Sequence, residues 1–113
     1  MDKSLLSGST GMLLLRLLTE EDMYGYQMIE TLRARSSDVF SLKAGTLYPL
    51  LHALEEQGAV ESYEQMTPEN RARRYYHLTN TGRRLLEQKT EEWRQFSGAV
   101  ERVLTAKGGA VLA

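Results

Sequence analysis

The sequence predicts a mainly α-helical fold carrying one small β-hairpin and a long C-terminal helix, and three observations lead to it. Apolar residues recur at helical spacing in three segments before Gly58. Two short runs rich in valine and tyrosine, Val60 to Glu64 and Arg73 to Leu78, then change the period to that of strands. From Thr79 the helical period returns and holds for about 25 residues, or about 40 Å of helix. With 113 residues the chain has the length of one domain, and 42% hydrophobic with 26% charged residues is an ordinary soluble composition.

The first helix is expected over Leu5 to Leu18, where leucines leave little solvated surface and where Gly8 and Gly11 lower the propensity but permit a close neighbour. Its apolar run, Met12 to Leu18, is interrupted by Arg16 and is far shorter than the roughly 20 residues of a membrane span, so it reads as a buried helix and no membrane association is expected. After the acidic turn Thr19 to Asp22, a second helix over Tyr24 to Arg35 turns Met28, Ile29 and Leu32 inward. An irregular link, Ser36 to Leu42, leads into a third helix, Lys43 to Gln57. There Leu47, Leu50, Leu51 and Leu54 fall at i, i+3, i+4 and i+7. Pro49 lacks an N–H and is tolerable only near a helix start, which places that start between Lys43 and Thr46; Gly58 supplies the stop.

The side of this helix away from the leucines carries Gly45, Pro49 and His52 early and Glu56 late, so only its first half suits the approach of a polyanion. Beyond it the two strands form a hairpin whose tip, Gln65 to Ala72, turns at Thr67, Pro68, Glu69 and Asn70. Three helices and a hairpin make a winged helix-turn-helix over residues 1–78. Thr79 is a natural N-cap for the last helix, 79–107, which Gly108 and Gly109 are expected to end, leaving 108–113 as a flexible tail. In that helix Leu86, Trp93 and Val100 repeat every seventh residue, as do Lys89, Phe96 and Val103, giving a short coiled-coil-like seam with one polar member. Dimerisation covers such a seam most simply; the alternative is that the helix folds back over its own domain.

Net charge is only −1, yet five arginines (Arg71, Arg73, Arg74, Arg83, Arg84) lie between positions 71 and 84 with no acid among them. For docking on phosphates the local sign outweighs the sum. The absence of cysteine excludes disulfides and thiolate metal sites and fits a reducing compartment, so a cytoplasmic protein is expected. Two histidines, no glycine-rich phosphate loop, and adjacent Glu55 and Glu56 that point to different sides of a helix leave no basis for an enzyme. No cofactor is implied, and His52 and His77 lack the companions of a metal site.

Four blocks, MYGYQMIETL (23–32), GTLYPLLHALEEQG (45–58), RRYYHLTNTGRRLL (73–86) and EEWRQFSGAVERVL (91–104), resemble in order and spacing the PadR-like transcriptional regulators, in the compact form with a single C-terminal helix. The resemblance spans about Leu5 to Leu104. It departs at the hairpin tip, where Glu69, Asn70, Arg71 and Ala72 stand in place of a glycine-arginine-proline-like turn, which leaves the shape of the wing open. It implies a homodimeric repressor that binds double-stranded DNA at an inverted repeat, with the third helix in the major groove and the wing on the backbone or minor groove; the residues alone also allow a winged-helix module that binds protein, or a ligand-binding dimer, without DNA. A dimer sets two such helices about 34 Å apart.

On that basis Lys43 is expected to pair with phosphate, and Thr46 and Tyr48 to contact phosphate or a thymine methyl. Tyr24 and Tyr26 open the second helix within reach of the backbone, although half-buried core roles suit tyrosines equally. His52 points outward, either solvated or reading a base edge. Arg71, Arg73 and Arg74 are expected at the wing tip; the competing role is cross-strand pairing with Glu61 or Glu64. Leu86, Trp93, Phe96, Val100 and Val103 are the expected dimer contacts. The resemblance adds a role for Trp93 and Phe96 in a cavity between subunits where a planar aromatic effector stacks, against the simpler one of dimer core.

Overall fold

A computed structural model describes residues 3–108, with side chains from Gly8 onward. In chain order the elements are α1 (Lys3–Leu18), β1 (Met23–Tyr24), α2 (Gly25–Arg35), α3 (Ala44–Glu56), β2 (Val60–Met66), β3 (Ala72–Leu78) and α4 (Asn80–Thr105). The expected helices and hairpin are all present. The core is built on Leu14, Leu15, Met28, Leu47 and Leu51, each fully enclosed, with Leu54, Val60, Tyr76 and Leu78 around them. Phe40, Leu42 and Leu50 pack against this cluster from its edge. Among the described residues no helix is long and apolar enough to cross a membrane.

Tyr24 does not open α2. It caps α2 in extended geometry (φ −91, ψ 166) and belongs to β1, a two-residue strand that pairs antiparallel with β3 through Met23↔Tyr76 and Tyr24↔Tyr75. The sheet order is therefore β1-β3-β2. Two residues are too few to show an alternating pattern, which is why the sequence reading had no third strand.

The wing strands run further than expected. Pairing continues from Val60↔Leu78 to Met66↔Ala72, so the loop shrinks to residues 67–71. Thr67 organises it: its N–H donates to the Arg71 carbonyl (2.7 Å), its carbonyl accepts from the Asn70 N–H (2.9 Å), and its hydroxyl accepts from the Arg71 N–H (3.2 Å). Asn70 takes the left-handed conformation (φ 62) that asparagine tolerates better than most side chains.

Pro49 is the sixth residue of α3, beyond the first turn where proline is free of penalty. The carbonyl it crowds belongs to Gly45, around which no other group approaches within 4 Å of a notional Cβ. α3 ends at Gly58 (φ 77), whose N–H reaches the Glu55 carbonyl (3.0 Å) while the Ala59 N–H reaches that of Leu54 (2.9 Å), the Schellman arrangement.

α4 starts on this same point. The Thr79 hydroxyl accepts from the Gly82 N–H (3.0 Å) and donates to the Gly58 carbonyl (2.6 Å), and the Thr79 N–H bonds to the Ala59 carbonyl (3.1 Å). A methyl on Gly82 would lie 2.1 Å from the Ala59 oxygen.

The helix does not reach the glycines: it stops at Thr105, whose hydroxyl donates to the Glu101 carbonyl (2.8 Å), and Ala106 is extended (ψ 140). Apart from Gly108, the expected tail lies outside the described residues. Nor do Gly8 and Gly11 meet a close neighbour among the described residues.

Leu85 and Leu86 pack on the core, so Leu86 is partly covered by its own domain, whereas Trp93 is 46%, Phe96 63% and Val103 77% exposed. α4 runs beside α1 as far as Phe96 and continues beyond it, and the molecule extends 64 Å in its long direction. Thr79→Ala should cost about 1 kcal/mol, a fall in Tm of about 4–8 °C at fixed protein concentration. Gly82→Ala should cost more, about 1–3 kcal/mol, because backbone must move. Circular-dichroism melts that leave Gly82→Ala at the wild-type Tm would disprove the close approach.

Candidate nucleic-acid interface

Burial of Leu47, Leu51 and Leu54 fixes the rotation of α3 and turns Thr46, Tyr48, Pro49 and His52 to solvent, with Lys43 exposed at the N-cap. Lys43 at the N-cap makes no capping hydrogen bond with its side chain, and its charge stands at the positive end of the α3 dipole. Tyr48 is held at its far end: a Cβ on Gly25 would fall 2.3 Å from the Tyr48 hydroxyl oxygen, so the missing side chain of α2's first residue forms the seat. Gly25 was not singled out from the sequence, and a glycine beginning a helix gives little signal there. His52 is exposed and lies with Nε2 3.2 Å from Glu56 Oε1, one turn on.

The wing arginines do not gather at the tip. Only Arg71 is in the loop; Arg73 and Arg74 stand in β3, and because successive strand residues alternate they face opposite sides of the sheet. On the α3 side, Arg74 joins Tyr48, His52, Glu55 and Tyr76 around an open crevice of about 450 Å³. Arg74 Nη1 donates to Ser62 Oγ (2.9 Å), and Ser62 in turn donates to Glu55 Oε2 (2.6 Å). On the opposite side Arg71 and Arg73 border a second open crevice, about 460 Å³, with Tyr24, Tyr26, Thr67 and Glu69.

In this second crevice the Arg73 guanidinium lies 5.8 Å from the centre of the Tyr24 ring, within cation–π range. That ring meets Tyr75 edge-on (5.4 Å), and Tyr75 stacks on Tyr63 (5.7 Å). Glu64 is the cross-strand partner of Arg74 in register, yet among the described residues none of Arg71, Arg73 and Arg74 is in an ion pair.

Residues 14–88 match the family model described as the transcriptional regulator PadR-like family. The chain belongs to that family. A PadR-like regulator from Bacillus cereus has a similar structure, with a TM-score of 0.81 at 25% identity over 93% of this chain and 100% of that one. So does a PadR family transcriptional regulator from Eggerthella lenta, with a TM-score of 0.80 at 31% identity over 92% of this chain and 88% of that one. A transcriptional regulator of Mycobacterium tuberculosis is 42% identical over 65 residues, 58% of this chain and 57% of that protein. As a PadR-like transcriptional regulator, the chain carries its winged helix as a DNA-binding unit, with the long α4 appended.

The wing of this PadR-like regulator is anchored at its foot by Asp22, which the sequence reading placed only in an acidic turn. Tyr63 of β2 donates to Asp22 Oδ2 (2.6 Å), and His77 Nδ1 of β3 lies 2.8 Å from Oδ1. Partial burial pushes the Asp22 carboxyl up, but the hydrogen bonds from Tyr63 and His77 outweigh it and hold the group below its ordinary value. The same bond to Asp22 pushes the Tyr63 hydroxyl up to about 12.

The two shifts have opposite signs in pH. Asp22, depressed, contributes stability above the ordinary carboxylate value of about 3.9 that is lost as pH falls through its folded value; Tyr63, raised, contributes below about 10 and loses that contribution on the way to about 12. Urea unfolding across pH should therefore show a steeper alkaline loss of stability in wild type than in Tyr63→Phe. Identical alkaline slopes would refute the anchoring role of the hydroxyl.

Proposed function

We propose that this PadR-like regulator is a dimeric, cytoplasmic repressor that binds an inverted-repeat operator and is released by a small aromatic effector. The observation that carries the reading is the open outward face of α3, with Thr46, Tyr48 and His52 exposed beside Arg74 of the wing, which among the described residues is in no ion pair. A helix of this width fits the B-DNA major groove, and a wing arginine at its flank is placed for the adjoining phosphates. In this reading residues 1–78 are the DNA-binding domain and 79–107 the dimerisation helix. Lys43, Arg71, Arg73 and Arg74 supply affinity; Tyr24 and Tyr26 touch the backbone across the second crevice; Thr46, Tyr48 and His52 choose the sequence.

The apolar face of α4 supports the dimer. Trp93, Phe96, Val100 and Val103 lie exposed at helical spacing, and Trp93 and Phe96 stand 6.3 Å apart, centre to centre. A second copy covers them at little cost, since the helix is already formed. The effector site is the groove that Trp93 and Phe96 of α4 form with Ser9 and Met12 of α1, about 340 Å³, which a second copy would close into a cavity between subunits. An aromatic compound there changes the angle between the long helices and with it the separation of the two copies of α3.

Selection from random DNA should return sequences with two-fold symmetry, half-sites about one helical turn apart. Arg73→Ala with Arg74→Ala should weaken binding to the selected duplex and flatten its dependence on salt, and Phe96→Glu should yield monomers in sedimentation experiments. Selected sequences without symmetry, or an unchanged salt slope, would count against the reading. Trp93 fluorescence should change saturably with an aromatic effector.

A further inference from the structure

Ser62 occupies an unusual position between two opposite charges. Its hydroxyl hydrogen goes to Glu55 Oε2 on α3 (2.6 Å), and its oxygen accepts from Arg74 Nη1 on β3 (2.9 Å). Ser62 and Glu55 are both half-buried, while Arg74 is exposed. Among the described residues Glu55 and Arg74 form no direct ion pair, although both line the crevice beside α3. An arginine and a carboxylate within one crevice would ordinarily close into a two-pronged pair, the strongest arrangement open to them. The hydroxyl prevents this by satisfying each partner with a single bond. One of the five guanidinium N–H groups is used by Ser62, which leaves the others for a ligand.

We propose that Ser62 is a positioning residue that keeps Glu55 from capturing Arg74, so that the Arg74 guanidinium stays available to a DNA phosphate entering the crevice between α3 and the wing. The inference rests on the DNA-binding reading above. It assigns Glu55 a definite role, as the anchor that orients the hydroxyl. In the absence of the hydroxyl the carboxylate and the guanidinium pair directly, and phosphate must compete with Glu55 for the same donors.

The test measures binding of the full-length protein to a short mixed-sequence duplex over a series of salt concentrations, since phosphate contacts are independent of sequence. Arg74→Ala should weaken binding roughly tenfold and make the salt slope shallower by about 0.9 per subunit. Ser62→Ala should reproduce most of that loss although Arg74 is intact. Ser62→Thr, which restores the hydroxyl on a strand where a β-branched residue is at home, should bind as wild type. Glu55→Gln combined with Ser62→Ala should recover affinity and slope, because the competing charge is gone.

If Ser62→Ala binds as wild type while Arg74→Ala is weak, the positioning role is wrong and the Arg74 contact stands. If the double variant stays as weak as Ser62→Ala, loss of the hydroxyl acts by a route other than capture, and the proposal fails. An Arg74→Ala variant with wild-type affinity and slope removes the phosphate contact and this inference with it. Absence of any salt-dependent binding by wild type overturns the DNA-binding reading as well. Melting curves on the same samples separate misfolding from capture, because a folding defect would not be repaired by Glu55→Gln.

Discussion

The placement of α4 against α3 and the wing depends on the hydroxyl and N–H of one residue, Thr79. Through them the end of α3, the base of the wing and the start of α4 are joined by three hydrogen bonds within four residues of chain on each side. Val60↔Leu78, the innermost rung of the wing, lies directly beside the join. Gly82 lets α4 rest on the Ala59 carbonyl with no side chain between. The helix that presents Trp93 and the helix that presents Tyr48 therefore meet at one hydrogen-bonded corner.

Much of this was legible because helical period is a strong signal over many residues. The leucine stripe of α3 set its rotation, and with it the exposure of Thr46, Tyr48 and His52. Thr79 was identifiable as a cap from its residue type and place. What escaped the sequence depends on pairs far apart in the chain. Asp22 meets Tyr63 and His77 across |i−j| of 41 and 55, and no local pattern encodes such a meeting. The third strand was invisible because it is two residues long. The split of Arg73 from Arg74 was in principle readable, since both already belonged to the second strand and neighbours in a strand face opposite ways; the error lay in treating them with Arg71 as one cluster at the tip.

The distribution of ion pairs resolves the contradiction between a net charge of −1 and a nucleic-acid role. Basic residues of α2 are already committed: Arg35 to Glu20, and Arg33 to Glu30 and Asp38. Exposed pairs of this kind add little to stability, but they neutralise charge locally. Among the described residues Lys43 and the wing arginines Arg71, Arg73 and Arg74 are in no ion pair, and the same holds for Arg83, Arg84, Arg94 and Arg102 of α4. The wing and the start of α3 thus keep their cations outside ion pairs, as docking on phosphate requires.

The strand order carries one more consequence. With β3 in the middle, β2 is an edge strand of seven residues whose outer N–H and C=O groups have no partner within the sheet. Such an edge is a template on which a second molecule can add its own strand and begin to aggregate. Its acids, Glu61 and Glu64, gain nothing from a polyanion nearby, but they would be driven against their own copies if two edges met. With Glu61 on one face of the strand and Glu64 on the other, such a meeting of edges is opposed from both sides.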